Sequence, residues 1–161
     1  MFFMKIILIF LILSCTFCRL SGSVELSVGT SMQLDISTYN FTYSYSLDGT
    51  LLYGIGYPVF IGVKYDYQDN FQRIAAISVI RFLPDRWHFK IDLGAGGGLA
   101  SINGSPLQYS FFTAGIIPKL FLGENMMEGP FIYVSAFFMD ITTEVAAYSF
   151  LNGSAGVGFE F

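Results

Sequence analysis

His88 is the single histidine of the chain, in the run Arg86-Trp87-His88-Phe89-Lys90. An imidazole that activates a serine needs that hydroxyl within hydrogen-bond reach and a carboxylate behind the ring. Asp92 shares the face on which His88 is predicted to point inward, but four residues of extended chain put it roughly 13 Å away. No serine is placed beside His88, so it reads as an interior or interfacial side chain, and no enzyme activity is expected. The run Gly94-Ala95-Gly96-Gly97-Gly98 has the glycine content of a phosphate-binding loop. It lacks the following Lys-Ser/Thr and opens no helix pattern, so it reads as a wall of small residues. The sequence contains no Cys/His cluster with metal-ligand spacing. No cofactor and no metal are expected.

What remains is a set of isolated charges. Glu25, Asp35, Lys64, Asp66, Arg73, Arg81, Lys90, Asp92 and Glu160, with Lys119 as a further candidate, fall on the polar side of an alternation that runs along most of the chain. Charges confined to a narrow, poorly hydrated space must pair. These residues are therefore expected to form an ion-pair network. Its plain role is to stabilise the fold, and its sharper one is to gate a narrow path.

The elements that position these charges are read from composition and period. Hydrophobic residues make up 53% of the 161 and charged ones 12%, about half the usual charged share. The N-terminus, "MFFMKIILIFLILSCTFCRLSGS", has Lys5, an apolar run over 6–13 and small residues at 21–23. It reads as a helical secretory signal peptide, too short for a membrane-spanning helix of roughly 20 apolar residues. The division is thus 1–23 signal peptide and 24–161 one domain. Ile12-Leu13-Ser14-Cys15 also forms a loose lipobox, which would instead acylate Cys15. Cleavage after Ser23 would remove both cysteines, so a disulfide scaffold is excluded. Two of the eight basic residues, Lys5 and Arg19, lie in the leader, leaving six against twelve acids. That balance argues against a nucleic-acid partner.

Beyond residue 23 the period is two. Val24, Leu26, Val28, Thr30, Met32, Leu34 and Ile36 alternate with Glu25, Ser27, Gly29, Ser31, Gln33 and Asp35, as in a strand with one apolar and one polar face. Strands are predicted over 24–36, 39–47, 51–67, 73–82, 87–99, 109–121, 130–140 and 147–161. Asp48-Gly49 has the signature of a tight turn. Pro58, inside 51–67, predicts a bulge or an interruption. Leu52 and Phe60 break the alternation on the polar face.

Facing follows from composition. The polar face is mostly Gly, Ser and Thr with scattered charges, whereas a soluble surface carries a quarter or more of Lys, Arg, Glu and Asp. The opposite face carries large aromatics along whole strands, more than one small core could absorb. Tyr39, Tyr43, Tyr45, Tyr53, Tyr65, Tyr67, Trp87, Tyr109 and Phe161 group near predicted turns, as tyrosine and tryptophan do at a membrane boundary. An open sheet edge in hydrocarbon would leave backbone groups unpaired, which favours a closed ring. The expected fold is all-β: an eight-stranded antiparallel up-and-down transmembrane β-barrel.

With this leader, these strands and the terminal "AGVGFEF", the chain resembles the small bacterial outer-membrane β-barrels of the OmpA/OmpX type. The resemblance spans about 24–161 and is one of architecture. It implies a place in the bacterial outer membrane, with membrane lipid as a partner and an external ligand or host surface as another. It also implies that Val157, Phe159 and Phe161 form the signal read by the barrel-assembly machinery. The function it implies is a non-enzymatic structural or surface-interaction role with a lumen filled by polar and charged side chains. A narrow channel for small, even hydrophobic, solutes is the alternative, and a lipid-modifying enzyme a more distant one. Asp48-Gly49, Pro84-Asp85 and 123–129 become periplasmic turns, and 36–38, 68–72, 101–108 and 140–146 external loops.

Overall fold

A computed structural model describes residues 22–36, 44–68, 71–82, 87–102, 109–124, 128–142 and 147–161. The leader, with Cys15 and Cys18, lies outside the described residues, as do Tyr39, Tyr43 and Pro84-Asp85.

Eight strands follow in chain order: β1 Val24–Asp35, β2 Ser44–Gly56, β3 Val59–Gln68, β4 Phe71–Phe82, β5 Phe89–Ile102, β6 Tyr109–Phe121, β7 Gly129–Thr142 and β8 Ala147–Glu160. Each pairs antiparallel with its neighbours, and β1 pairs with β8 to close the barrel. At the seam Glu25 stands opposite Glu160, and Val24 and Phe161 exchange backbone bonds of 3.2 and 2.8 Å. Closure leaves no edge strand unpaired. Ten to fourteen residues per strand meet the roughly 9–11 that a tilted strand needs to cross a bilayer.

The strand count is as expected, but the first hairpin is not. Asp48-Gly49 is no turn: it lies inside β2, with Asp48 opposite Gly29 on one side and Asp66 on the other. The chain reverses instead at Tyr57-Pro58, a cis peptide, splitting the run 51–67 into the end of β2 and all of β3. Gly56, with φ of 142°, enters this turn in a conformation open to glycine and strained for other residues. The register shifts between Gly54 and Gly56. Pro58 supplies no ladder donor and ends the strand, outweighing the local Asp-Gly signal. Smaller differences are at the ends: β4 starts at Phe71, β5 spans Phe89–Ile102 and β7 reaches Thr142.

The outward face is apolar. Val28, Leu47, Ile74, Ile80, Leu93, Phe112, Val134 and Val157 are among its exposed large side chains. Tyr57, Trp87 and Phe161 are exposed at the end carrying the chain termini (the base), and Tyr67 and Tyr148 at the opposite end. The interior mixes charge with hydrocarbon. Leu52, Phe60, Ala75, Ile77, Val79, Ala100, Phe111, Met139 and Ile141 form one buried cluster, and Ile117, Phe121, Phe131, Tyr133 and Phe137 another. Leu52 and Phe60 thus keep the alternation and belong to an apolar sector of the lumen. The hydroxyls of Ser31 and Ser46 pair across β1 and β2, and those of Ser135 and Ser154 across β7 and β8.

Candidate functional site: two charge clusters inside the barrel

Alternation sends every second side chain inward, so each interior charge is set by strand phase and its partners by register. Near the base, Arg81 of β4 reaches carboxylates on three strands. Its Nη2 lies 2.7 Å from Glu25 Oε2 of β1, its Nη1 2.7 Å from Glu160 Oε2 of β8, and its Nε 2.9 Å from Asp92 Oδ1 of β5. Lys119 of β6 completes the group, 2.5 Å from Glu25 Oε1 and 2.6 Å from Asp92 Oδ2. All five side chains are buried. The Arg81 guanidinium also lies over the Phe60 ring, 4.3 Å from its centroid, and Lys119 over Phe131 at 5.1 Å. These are cation–π distances, and the contacts gain strength where water is excluded. Lys90, opposite Lys119 in register, is buried too.

The second cluster lies further from the base. Lys64 of β3 donates to Asp48 Oδ2 of β2 at 3.0 Å, and Tyr133 of β7 donates to the same oxygen at 2.9 Å. Space for this pair comes from β1: a Cβ on Gly29 would fall 2.4 Å from the Tyr133 hydroxyl and 2.9 Å from Asp48 Oδ1. Asp66 sits between Lys64 and Arg73 at 3.5 Å from each. At that separation Arg73 Nε and Asp66 attract as charges without a formed hydrogen bond, and Asp48 Oδ1, Asp66 Oδ1 and Arg73 Nε have no hydrogen-bond partner. Arg73 instead donates to Met139 Sδ at 3.2 Å and lies 5.0 Å from the Phe71 ring centroid. The base cluster is tight and the second one loose.

Of the residues singled out from sequence, Glu25, Arg81, Asp92 and Glu160 meet in the first cluster, and Lys64, Asp66 and Arg73 in the second. Asp35 lies at the far end of β1, half-buried, opposite Phe150. His88 is exposed at the bend before β5 and does not point inward as expected, while Asp92 is held by Arg81 and Lys119. Asp48 and Tyr133 were missed. The Asp48-Gly49 turn signature masks Asp48, although Ser46, Asp48 and Thr50 alternate with Leu47, Gly49 and Leu51 and carry the signal for an inward position. Nothing in the sequence separates Tyr133 from an ordinary strand aromatic. Val157, Phe159 and Phe161 all point outward at the base, with the rings of Phe159 and Phe161 4.6 Å apart.

A closed eight-stranded barrel with an apolar outside and charges within defines the architecture of the small outer-membrane β-barrels, and solved structures agree. Neisserial surface protein A matches with a TM-score of 0.65 over 88% of this chain and 100% of its own, at 16% identity. The N-terminal β-barrel domain of Pseudomonas aeruginosa OprF matches at 0.58 over 88% and 100%, also at 16% identity. The outer membrane protein OprG from Pseudomonas aeruginosa matches at 0.58 over 87% and 96%, at 11% identity. At such identities the likeness is one of fold. No protein-family model matches the sequence, and no curated protein matches it.

Proposed function

We propose that the protein is an integral barrel of the bacterial outer membrane, residues 24–161 after removal of a signal peptide, with a non-enzymatic structural or surface-interaction role. The carrying observation is Arg81, which ties β4 to β1, β5 and β8 across the interior at 2.7–2.9 Å. A guanidinium so held fills the lumen and braces opposite walls. The space between the two charge clusters supports a closed interior: a cavity there, lined by Glu25, Thr50, Lys64, Lys119 and Tyr133, has a volume of about 10 Å³. That is room for about one water molecule. Removing one partner from such a buried group costs about 3–5 kcal/mol, so the cluster braces the walls it joins. In this reading bilayer lipid covers the outside, the terminal strand with Val157, Phe159 and Phe161 is read by the assembly machinery, and any external ligand or host surface meets the end opposite the chain termini.

A narrow conduit is the second reading, favoured by the looser cluster, where Asp66 lies 3.5 Å from both Lys64 and Arg73. Planar-bilayer conductance and liposome swelling separate the two. A silent bilayer and no swelling are expected. Stable unitary steps from the wild-type barrel would make it a channel.

A further inference from the structure

The base cluster closes the lumen at one end, and a pair of rings crosses it near the other. Phe71 opens β4 and Phe150 lies in β8, strands on opposite sides of the eight-membered ring. By strand parity both point inward, Phe71 with the buried Arg73 and Phe150 with the buried Asn152. Their ring centroids lie 6.4 Å apart with the planes tilted by 54°, a favourable arrangement for an aromatic pair. Both are half-buried and pack against the apolar cluster that includes Phe111, Met139 and Ile141. Tyr148 stacks on Phe150 at 6.5 Å. One inward position nearer the base, the Arg73 guanidinium lies 5.0 Å from the Phe71 ring centroid.

Between these rings and the base cluster, polar groups go unmet. Gln33 Oε1, Asp48 Oδ1, Asp66 Oδ1 and Arg73 Nε are buried without a hydrogen-bond partner among the described residues. Register places all of them in this half. Gln33 stands opposite Asn152, one inward step below Phe150, and Asp66 stands opposite both Asp48 and Arg73. Among the described residues, none of the five base-cluster side chains carries such an atom. A buried donor or acceptor left unmet is costly, and an internal water molecule is the usual remedy. Asp48 Oδ1, Asp66 Oδ1 and Arg73 Nε offer two acceptors and one donor, which suit a molecule that gives two hydrogen bonds and takes one.

We infer that Phe71 and Phe150 form an aromatic lid over a blind, water-binding chamber that opens only at the end opposite the chain termini. The inference rests on the closed interior proposed above and deepens it. Toward the base the way is shut by the cavity of about 10 Å³ and by ion pairs joining β1, β4, β5, β6 and β8. The lid is the weaker closure, because two half-exposed rings meet at one contact and a rotamer change of either parts them. Water and neutral solutes of its size thus enter from one side and do not cross.

Both native cysteines lie in the leader, so a barrel of residues 24–161 has none and one engineered thiol reports on one place. S154C puts it in the chamber, on β8 below Phe150 and Asn152, and S27C puts it beside the small cavity nearer the base. Both serines are buried. The refolded barrel in detergent is treated with methyl methanethiosulfonate, a small neutral thiol reagent, and mass spectrometry reads the rate. With the lid intact both thiols are expected to react slowly. F71A/F150A is expected to speed S154C by about tenfold or more, as where local opening limits access, and to leave S27C unchanged. F150L is expected to fall between, and F138A, on the outer face, to change neither rate. Equal S154C rates with and without the rings overturn the lid, and an equal acceleration of S27C overturns the blind chamber. Fast reaction of S27C with the lid intact would instead overturn the closed interior itself. Heat-modifiable migration on gels checks that each variant is folded, and F150L alone carries the comparison if the double variant is not. In the wild type, magnetic-resonance cross-peaks from water to the Arg73 Nε proton are expected, and their absence would overturn the water site.

Discussion

Arg81 and Glu160 lie 2.7 Å apart although 79 residues separate them in the chain. Arg81 belongs to β4 and Glu160 to the last strand, so the contact exists only because the barrel closes. The same guanidinium holds Glu25, opposite Glu160 at the β1–β8 seam. One cation thus bridges two acids that closure itself brings together, and Lys119, 2.5 Å from Glu25, supplies a second positive charge.

Arg81→Met leaves Glu25, Asp92 and Glu160 buried with less positive charge around them. Loss of about 3–5 kcal/mol is expected, the cost of stripping one partner from a buried ion group. Urea titration of the vesicle-folded barrel, followed by gel migration, measures it. Pairing R81M with E160Q should recover part of the loss, and no recovery in the double variant would mean the two residues are not coupled.

Tyr133→Phe removes one hydrogen bond to Asp48 Oδ2 and keeps the ring. A loss of about 1.5–3 kcal/mol is expected for a bond to a charged acceptor. Gly29→Ala attacks the same pair from β1, since its Cβ would fall 2.4 Å from the Tyr133 hydroxyl. The combined variant should lose less than the sum of the two, as both act on the Tyr133–Asp48 contact, while the approach of the new Cβ to the Ala155 carbonyl oxygen at 2.6 Å remains in both G29A variants. The same unfolding titration reads all three.

Val134→Arg tests which side of the wall meets lipid. Val134 is 55% exposed on β7. A cation there should cost about 2–4 kcal/mol if the position lies near mid-bilayer, and folding yield into vesicles should fall. Unchanged folding and stability would contradict a bilayer-facing outer surface.

Phe161→Ala leaves the buried clusters untouched, because Phe161 is exposed at the base. A modest loss of urea stability is expected, about 0.5–1.5 kcal/mol for the ring contact with Phe159 at 4.6 Å. In cells the heat-modifiable form in the outer membrane should decline, as recognition of the terminal strand weakens. If both readouts stay at wild-type levels, Phe161 is no part of an assembly signal.

Phase was legible in the sequence wherever both faces were distinct. In β1, Glu25 to Asp35 alternate with Val24 to Leu34, and the inward set follows directly. It was harder in β4, where Ala75, Ile77 and Val79 face inward and Ile74 and Ile80 outward, so both faces are apolar. There the charged Arg73 and Arg81 alone marked the lumen side. At Asp48-Gly49 the local turn signal misled, because a dipeptide preference is weaker than the ladder bonds that β1 and β3 offer β2 on either side.

Alternation along each strand therefore determined the class of fold, the inward charges and the outward oil, since side-chain direction in a strand depends only on parity. Which charge meets which was decided by tertiary structure. Partners come from inter-strand register and from reach across the lumen, as when Lys119 of β6 meets Glu25 of β1, 94 residues apart. So was the meeting of Phe71 and Phe150, which stand on opposite walls and come together only when the sheet closes into a ring.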